Sequence, residues 1–281
     1  MKQIEEKPKK HILRKFIFFI ILIMALIIVY GKYVEPSIIF INEYNVKSNK
    51  IPTSLNKIKI AHFSDILFDS SDDMDKLDEI ISLINDKKVD IVIFSGDLFK
   101  KSYNPNQKII DKVTEKLSKI KSKYGKYYVT GDNDLKNISY DNIMQNSGFN
   151  ALNNSFDIIY SNAKESLLLI GLMPNIDTTI LNNIINENNA NYKIVIFHES
   201  DSFEDIEDYN FDLALSSNSL NGKVNIPYIK NIFLNKNSNK YYEPHYKIHD
   251  KDLYISNGIG TEGIEFRLFN NPSINIYTLK K

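Results

Sequence analysis

Apolar positions along this chain follow three rhythms. Residues 16–30 are an unbroken apolar run, FIFFIILIMALIIVY. Beyond them, short apolar blocks of strand character alternate with stretches in which Leu and Ile recur at helical spacing. Residues 57–63, 90–95 and 126–130 read as three strands. Between them, residues 72–86 put Leu77, Ile80, Ile81 and Ile84 on one helix face, with Ser71 as the N-cap. Residues 105–122 do the same with Ile109, Ile110, Val113, Leu117 and Ile120, and Pro105 suits the first turn. Strand, helix, strand, helix, strand predicts a parallel crossover unit. The second half is richer in strands, at 156–160, 166–171, 193–197, 211–215, 252–256 and 274–279. One helix is expected over 178–189, behind an Asp177 cap. Residues 32–56 read as a tether that ends extended, and the polar stretch 231–250 as a loop.

The long apolar run has the flanks of a membrane anchor. Residues 16–30 as a helix cover about 22 Å, short of a bilayer core of about 30 Å. Adding Ile12, Leu13 and Gly31 gives a full span, with Arg14 and Lys15 snorkelling outward. Lys7, Lys9, Lys10, Arg14 and Lys15 precede the run, whereas Lys32 and Glu35 follow it. That asymmetry puts the N-terminus in the cytoplasm and the rest outside. A cleaved signal peptide and a buried core helix are the alternatives, but no small-x-small cleavage site follows the run. The organisation expected is a basic cytoplasmic tail (1–11), an anchor (12–31), a tether (32–56) and one domain (57–281).

Composition narrows the partners. The chain has 281 residues, 43% hydrophobic and 25% charged, which suits one ordinary globular domain behind the anchor. Lys+Arg and Asp+Glu both number 35, so no global basic field gathers nucleic acid. Cysteine is absent, which excludes disulfides and thiolate metal sites. Asn, Ile and Lys are abundant and Ala and Trp scarce, as in an AT-rich codon bias, so not every Asn or Lys carries chemistry.

Five short segments, each after a predicted strand, carry the chemistry. They are Ser64-Asp65-Ile66-Leu67, Gly96-Asp97-Leu98, Gly131-Asp132-Asn133-Asp134, Phe197-His198-Glu199 and Ser216-Ser217-Asn218-Ser219-Leu220-Asn221-Gly222. Strand ends are where open α/β sheets place their sites. Singly, each aspartate is equally well a loop cap. In this order the five resemble the calcineurin-like metallophosphoesterases, with their pattern D-x-H, G-D, G-N-H-D/E, a lone H, and G-H-x-H. The tail from Leu253 to Thr261 and from Phe266 to Pro272 resembles the close of the membrane-anchored bacterial branch. The resemblance spans roughly residues 12–281 and implies a four-layer α/β-β-α sandwich, preceded here by one transmembrane helix, with a dinuclear site where two sheets meet.

Residue by residue, the resemblance implies a damaged site. The family's first metal would take Asp65, Leu67, Asp97 and Leu220, two of which are leucines without a lone pair. Asp65 is then the remnant of a lost site, since two carboxylates alone rarely hold a transition metal. The second would take Asp97, Asp132, His198 and Asn218, all able to coordinate. Their oxygen-rich set suits Mg²⁺ or Mn²⁺ better than Zn²⁺, so one divalent ion or none is expected. The acid position is Asn133, which has no proton to give at neutral pH, and Asp134 is left without a histidine to orient. Carboxylates converging with one imidazole raise one another's pKa unless a cation such as a metal or Lys223 sits among them. His62 reads as core or sheet surface, His11 as tail, and His245 and His249 as parts of a solvated loop.

These readings point to a membrane-anchored protein that binds a phosphorylated ligand, an envelope lipid headgroup or a protein partner, and catalyses poorly. A single-metal phosphodiesterase or phosphatase is the alternative. A scaffold acting through its aromatic surface and long loop is a third. With the domain outside the cytoplasm, protease added to wall-stripped cells should digest residues 57–281. Full protection, or a mature N-terminus beyond Tyr30, is the contrary result.

Overall fold

The computed structural model describes residues 10–70, 73–160, 165–226, 228 and 233–281. The expected Ser71 cap lies outside them. Apolar alternation in the strands organises everything else. The first sheet contains β1 (Phe40–Lys47), β2 (Lys59–Phe63), β3 (Ile91–Phe94), β4 (Gly125–Tyr128), β5 (Phe149–Ala151) and a last strand, Ser273–Lys280. The second contains β6 (Ser155–Tyr160), β7 (Ser166–Gly171), β8 (Tyr192–Glu199), β9 (Leu213–Ser217), β10 (His245–Ile248) and β11 (Lys251–Ile255), which makes Ser273–Lys280 β12. Their orders are β1-β12-β2-β3-β4-β5 and β10-β11-β9-β8-β7-β6.

Successive side chains of a strand point to opposite faces, and here each face has its own core. In β3, Ile91 and Ile93 join Ile194, Ile196, Leu213 and Leu215 between the sheets. Val92 and Phe94 turn the other way, onto α2 (Asp73–Asp86) and α3 (Gln107–Ser118). On the far side, Val195, Phe197 and Leu253 pack with Leu181 and Ile185 of α5 (Thr178–Glu187). Helix, sheet, sheet and helix make the expected four layers. Helix caps follow the sequence: Asn106, just after Pro105, accepts from Ile109 N at 3.1 Å, and Asp177 accepts from Thr179 N at 2.9 Å.

Three expectations change. The extended end expected of the segment 32–56 is itself a strand of the sheet, because β1 pairs in parallel with β12 over eight residues. Tyr44 turns inward against Tyr254 and Tyr277, with ring centroids 5.0 and 5.5 Å away. The sheet therefore starts at Phe40 rather than near Lys57. The polar stretch 231–250 contains β10, an antiparallel edge strand on β11. Two short elements without a clear periodic signal, α4 (Tyr140–Asn146) and β5, close the first sheet's edge, and α6 (Phe203–Ile206) follows β8.

Ahead of β1, α1 (Lys10–Val29) continues through a π-helical turn at Tyr30–Val34. The helix spanning Ile12–Ser37 is long and apolar enough to cross a membrane.

His62 is core. Its Nε2 lies 2.7 Å from Ser95 Oγ and its Nδ1 3.3 Å from Tyr277 Oη, and burial pushes its pKa down to about 3. A histidine held neutral stabilises fully above its unfolded pKa of about 6.5. That contribution is lost as pH falls from there toward 3. The stability difference between wild type and His62→Gln should therefore shift against wild type across this window, by on the order of 4 kcal/mol at its acid end. Denaturant melts at stepped pH measure it.

Candidate metal centre

The C-terminal ends of β2, β3 and β4 in one sheet face those of β8 and β9 in the other, and the five segments meet there. Positive φ angles turn the backbone at Asp65 (48°), Leu67 (52°), Asp97 (61°), Asn218 (64°) and Leu220 (47°). Such left-handed conformations cost non-glycine residues about 1–3 kcal/mol each and mark sites whose geometry is over-determined. Two glycines permit the crossing of the second and third segments. A Cβ on Gly96 would lie 2.5 Å from Gly131 N, and one on Gly131 would overlap Asp97 Oδ1 at 2.1 Å.

Asp65, Asp97 and His198 are buried and bring one ligand atom each within 4.8 Å of one another. His198 reaches across the sheets. Its Nδ1 donates to the carbonyl of Ser95 at 2.7 Å, and Ser217 Oγ donates to the same oxygen at 2.9 Å. A carbonyl only accepts, so Nδ1 carries the hydrogen and a neutral ring directs the lone pair of Nε2 into the cluster. Nε2 lies 3.3 Å from Asp97 Oδ2 and 3.6 Å from Asp132 Oδ1, yet this buried atom has no hydrogen bond of good geometry. A lone pair facing carboxylates needs a proton or a cation between them.

Charge in the cluster points the same way. Burial pushes Asp97 up to about 6 and Asp134, with help from Asp97, up to about 7. Burial also raises Asp65. Burial lowers His198, but Asp97, Asp132 and Asp65 outweigh it and lift the imidazole well above its ordinary value. Only Asp132, partly open to solvent, is held low by His198.

The remaining positions have taken other work. Asn133 donates Nδ2 to Asp97 Oδ2 at 2.7 Å and its backbone N to Oδ1 at 3.0 Å. Asp134 is not idle: it accepts from the backbone N–H groups of Asp97, Leu98 and Gly131 at 2.7, 3.0 and 3.0 Å. The Asn218 amide is hydrogen-bonded to the neighbouring loop. Its Nδ2 donates to Lys236 O at 2.8 Å, its Oδ1 faces Asn235 Nδ2 at 3.4 Å, and only its backbone N reaches Asp65, at 3.4 Å. Leu67 and Leu220 are buried against one loop. A Cβ on Gly260 would lie 2.7 Å from Leu67 Cβ, and one on Gly258 would lie 2.3 Å from Leu220 Cδ2. His245 is remote in role, paired with Asp252 at 2.8 Å on the edge strand, and His249 sits in the turn after it.

A cleft of about 480 Å³ opens over the cluster, lined by Asp132, Asn133, Asn218, Lys101, Lys223 and Lys236. Lys223 Nζ donates to Glu262 O at 2.6 Å. Ser95, Ser217 and the buried Arg267, which bonds the carbonyls of Asn257, Gly258 and Gly260 at 3.0, 3.3 and 2.6 Å, had no role in the sequence reading. A serine directly before Gly96-Asp97 and an arginine shortly after the glycine-bearing stretch 258–263 were the available signals.

The sequence profile of calcineurin-like phosphoesterases matches residues 58–258. The chain belongs to that family. Among its relatives is the uncharacterized metallophosphoesterase YkuE of Bacillus subtilis, 27% identical over 262 residues, 89% of each chain. A transmembrane protein with metallophosphoesterase domain from Danio rerio is 26% identical over 138 residues, 48% of this chain and 31% of that one. The fold is similar to that of TT1561 from Thermus thermophilus, with a TM-score of 0.51 at 12% identity over 73% of this chain and 91% of that one. The residues present fit one metal ion: buried carboxylates and an unpartnered imidazole nitrogen converge. They do not fit the family's other ion, whose imidazoles are replaced by two buried leucines.

Without metal, the raised carboxyls favour protons. A raised folded pKa contributes stability that is complete below the unfolded value, near 4. That stability disappears as pH climbs through about 6 for Asp97 and about 7 for Asp134. The chelated protein should therefore melt lower at pH 7.5 than at pH 5. Adding Mn²⁺ or Mg²⁺ at pH 7.5 to a hundredfold over its Kd should raise Tm by about 5–10 °C. Asp97→Asn should be the more stable chelated form at pH 7.5 and lose the metal response. Differential scanning calorimetry reads all three.

Proposed function

We propose that this is a membrane-anchored, extracytoplasmic metallophosphoesterase-fold protein that holds one divalent ion and binds a phosphorylated ligand with negligible turnover. The observation that carries the reading is the pairing of Asn133 with Asp97 beside two buried leucines, Leu67 and Leu220. The ion would be held by Asp97 and His198 with Asp65 and Asp132, and the oxygen-rich donors favour Mg²⁺ or Mn²⁺ over Zn²⁺. When bound, such an ion supplies positive charge to a phosphoryl oxygen. Lys101, Lys223 and Lys236 offer ammonium donors to a phosphate entering the cleft, whose lining also carries Glu199 and Glu262. Asn133 steadies Asp97 but delivers no proton to a leaving group. Two-metal hydrolysis needs one charge to activate water and another to clamp the phosphate. The general acid alone is worth about 10²–10⁴-fold in rate.

The anchor is supported by the helix Ile12–Ser37 and by the relative from Danio rerio, a transmembrane protein. A single-metal phosphodiesterase is the second reading. It is favoured by the alignment of His198, whose Nδ1–H is fixed to Ser95 O as in working metal sites.

Purified protein should carry at most one divalent ion by elemental analysis and leave an aryl phosphodiester essentially unhydrolysed. Replacing Leu67, Asn133, Asn218 and Leu220 by His, with Asp132→Asn, should restore binding of a second ion. Native turnover of about 1 s⁻¹ or more, abolished by Asp97→Ala, would instead establish the single-metal enzyme.

A further inference from the structure

We infer that the loop 264–269 is a second membrane contact, docked on the end of the anchor helix, which rests Ile264 and Phe269 in the bilayer interface and holds the cleft at the lipid surface. The inference rests on the anchor reading above and not on the metal.

The apolar run of the helix ends at Tyr30, and the next residue is where the domain takes hold. Arg267 N donates to Gly31 O at 2.9 Å. The ring of Phe266 occupies the space that a side chain at position 31 would need, its Cε2 lying 2.3 Å from where a Cβ would stand. Glu35, buried on the same turn, accepts from Asn270 N. Whatever depth the helix end has in the bilayer, the segment 266–270 shares it. Tyr30, Lys32 and Tyr33 are exposed around this collar, the residue types that sit at headgroup level.

Two of the loop's three outward side chains are apolar, Glu265 being the third. Ile264 is 55% exposed and Phe269 64% exposed. Phe269 has φ 55°, a strained conformation for an aromatic residue, and no core burial offsets it. Between them Glu265 reaches Lys100 at 2.8 Å, an ammonium it shares with Asp69, and points away from the two apolar tips toward that pair. A lipid interface is the occupant that satisfies apolar tips continuous with a membrane helix.

The residues that lead into the loop wall the cleft. Glu262 and Gly263 line it, and buried Arg267 locks the carbonyls of residues 257, 258 and 260 beneath it. A cleft bordered by the residues that run straight into an interfacial loop opens at headgroup level, so the ligand class is a phosphate-bearing lipid headgroup rather than a freely diffusing phosphate ester.

The chain has no tryptophan, so a single introduced indole reports its own depth. Full-length Phe269→Trp and Ile264→Trp are reconstituted in phosphatidylcholine–phosphatidylglycerol vesicles whose acyl chains carry bromine. Ile23→Trp, within the helix, and Phe156→Trp, on the outer strand of the other sheet, are the references. The indoles at positions 23, 264 and 269 should lose most of their emission, and that at 156 should not. Quenching at 23 with none at 264 and 269 beyond that at 156 overturns the loop contact and spares the anchor. No quenching at 23 overturns the anchor reading and the contact with it. Metal binding by the same variants should be unchanged, which separates either failure from failure of the metal site.

Discussion

The carbonyl oxygen of Ser95 is the atom on which the centre depends. It ends a strand of one sheet and accepts from two side chains of the other, His198 and Ser217. The hydroxyl of the same serine meets His62 in the interior. One residue therefore ties the sheets together at the site, fixes the imidazole tautomer and aims Nε2 at the carboxylates. Asp134 complements it from below by gathering three backbone N–H groups of the crossing loops. With these supports in place the frame of a metal site persists whether or not every ligand does.

That persistence explains how leucines came to stand in strained backbone. Leu67 and Leu220 keep left-handed conformations that serve no apolar side chain. The surrounding loops impose those angles, through Asp65 N on Gly96 O and Leu67 N on Asp97 O, at 2.9 and 3.2 Å. Burial against the loop carrying Gly258 and Gly260 offsets the strain with apolar contact. This half of the centre is apolar packing, whereas the half around His198 keeps an unsatisfied imidazole nitrogen that packing cannot satisfy.

Much of this was legible in the sequence. Strands buried on both faces, such as β3 and β8, announce themselves as continuous apolar runs. β1 did not, because it is an edge strand whose Tyr44 and Val46 turn inward while Glu43, Asn45 and Lys47 are exposed. β10 fails to show for the same reason, with His245 and Lys247 exposed. Motif order located Asp65, Asp97, Asp132 and His198 at one place. It could not show that Asp65, assigned to the lost ion, closes on His198, nor that the amide of Asn218 turns to Lys236. Ligand partition depends on side-chain rotation of an ångström or two, which spacing along a chain does not encode. Ser95 escaped notice because its part is played by a backbone oxygen, a group every residue possesses.

The position of β12 governs how the molecule is made. It lies between β1 and β2, so the first sheet is completed by residues synthesised some 230 positions after β1, as the pairing Phe40↔Ser273 shows. Until residues 273–280 emerge, β1 has no partner and the edge of β2 stays open. Such long-range pairing is slow and leaves sticky edges during synthesis. A chain threaded across a membrane from its N-terminal helix onward would carry that open edge through the whole of its export.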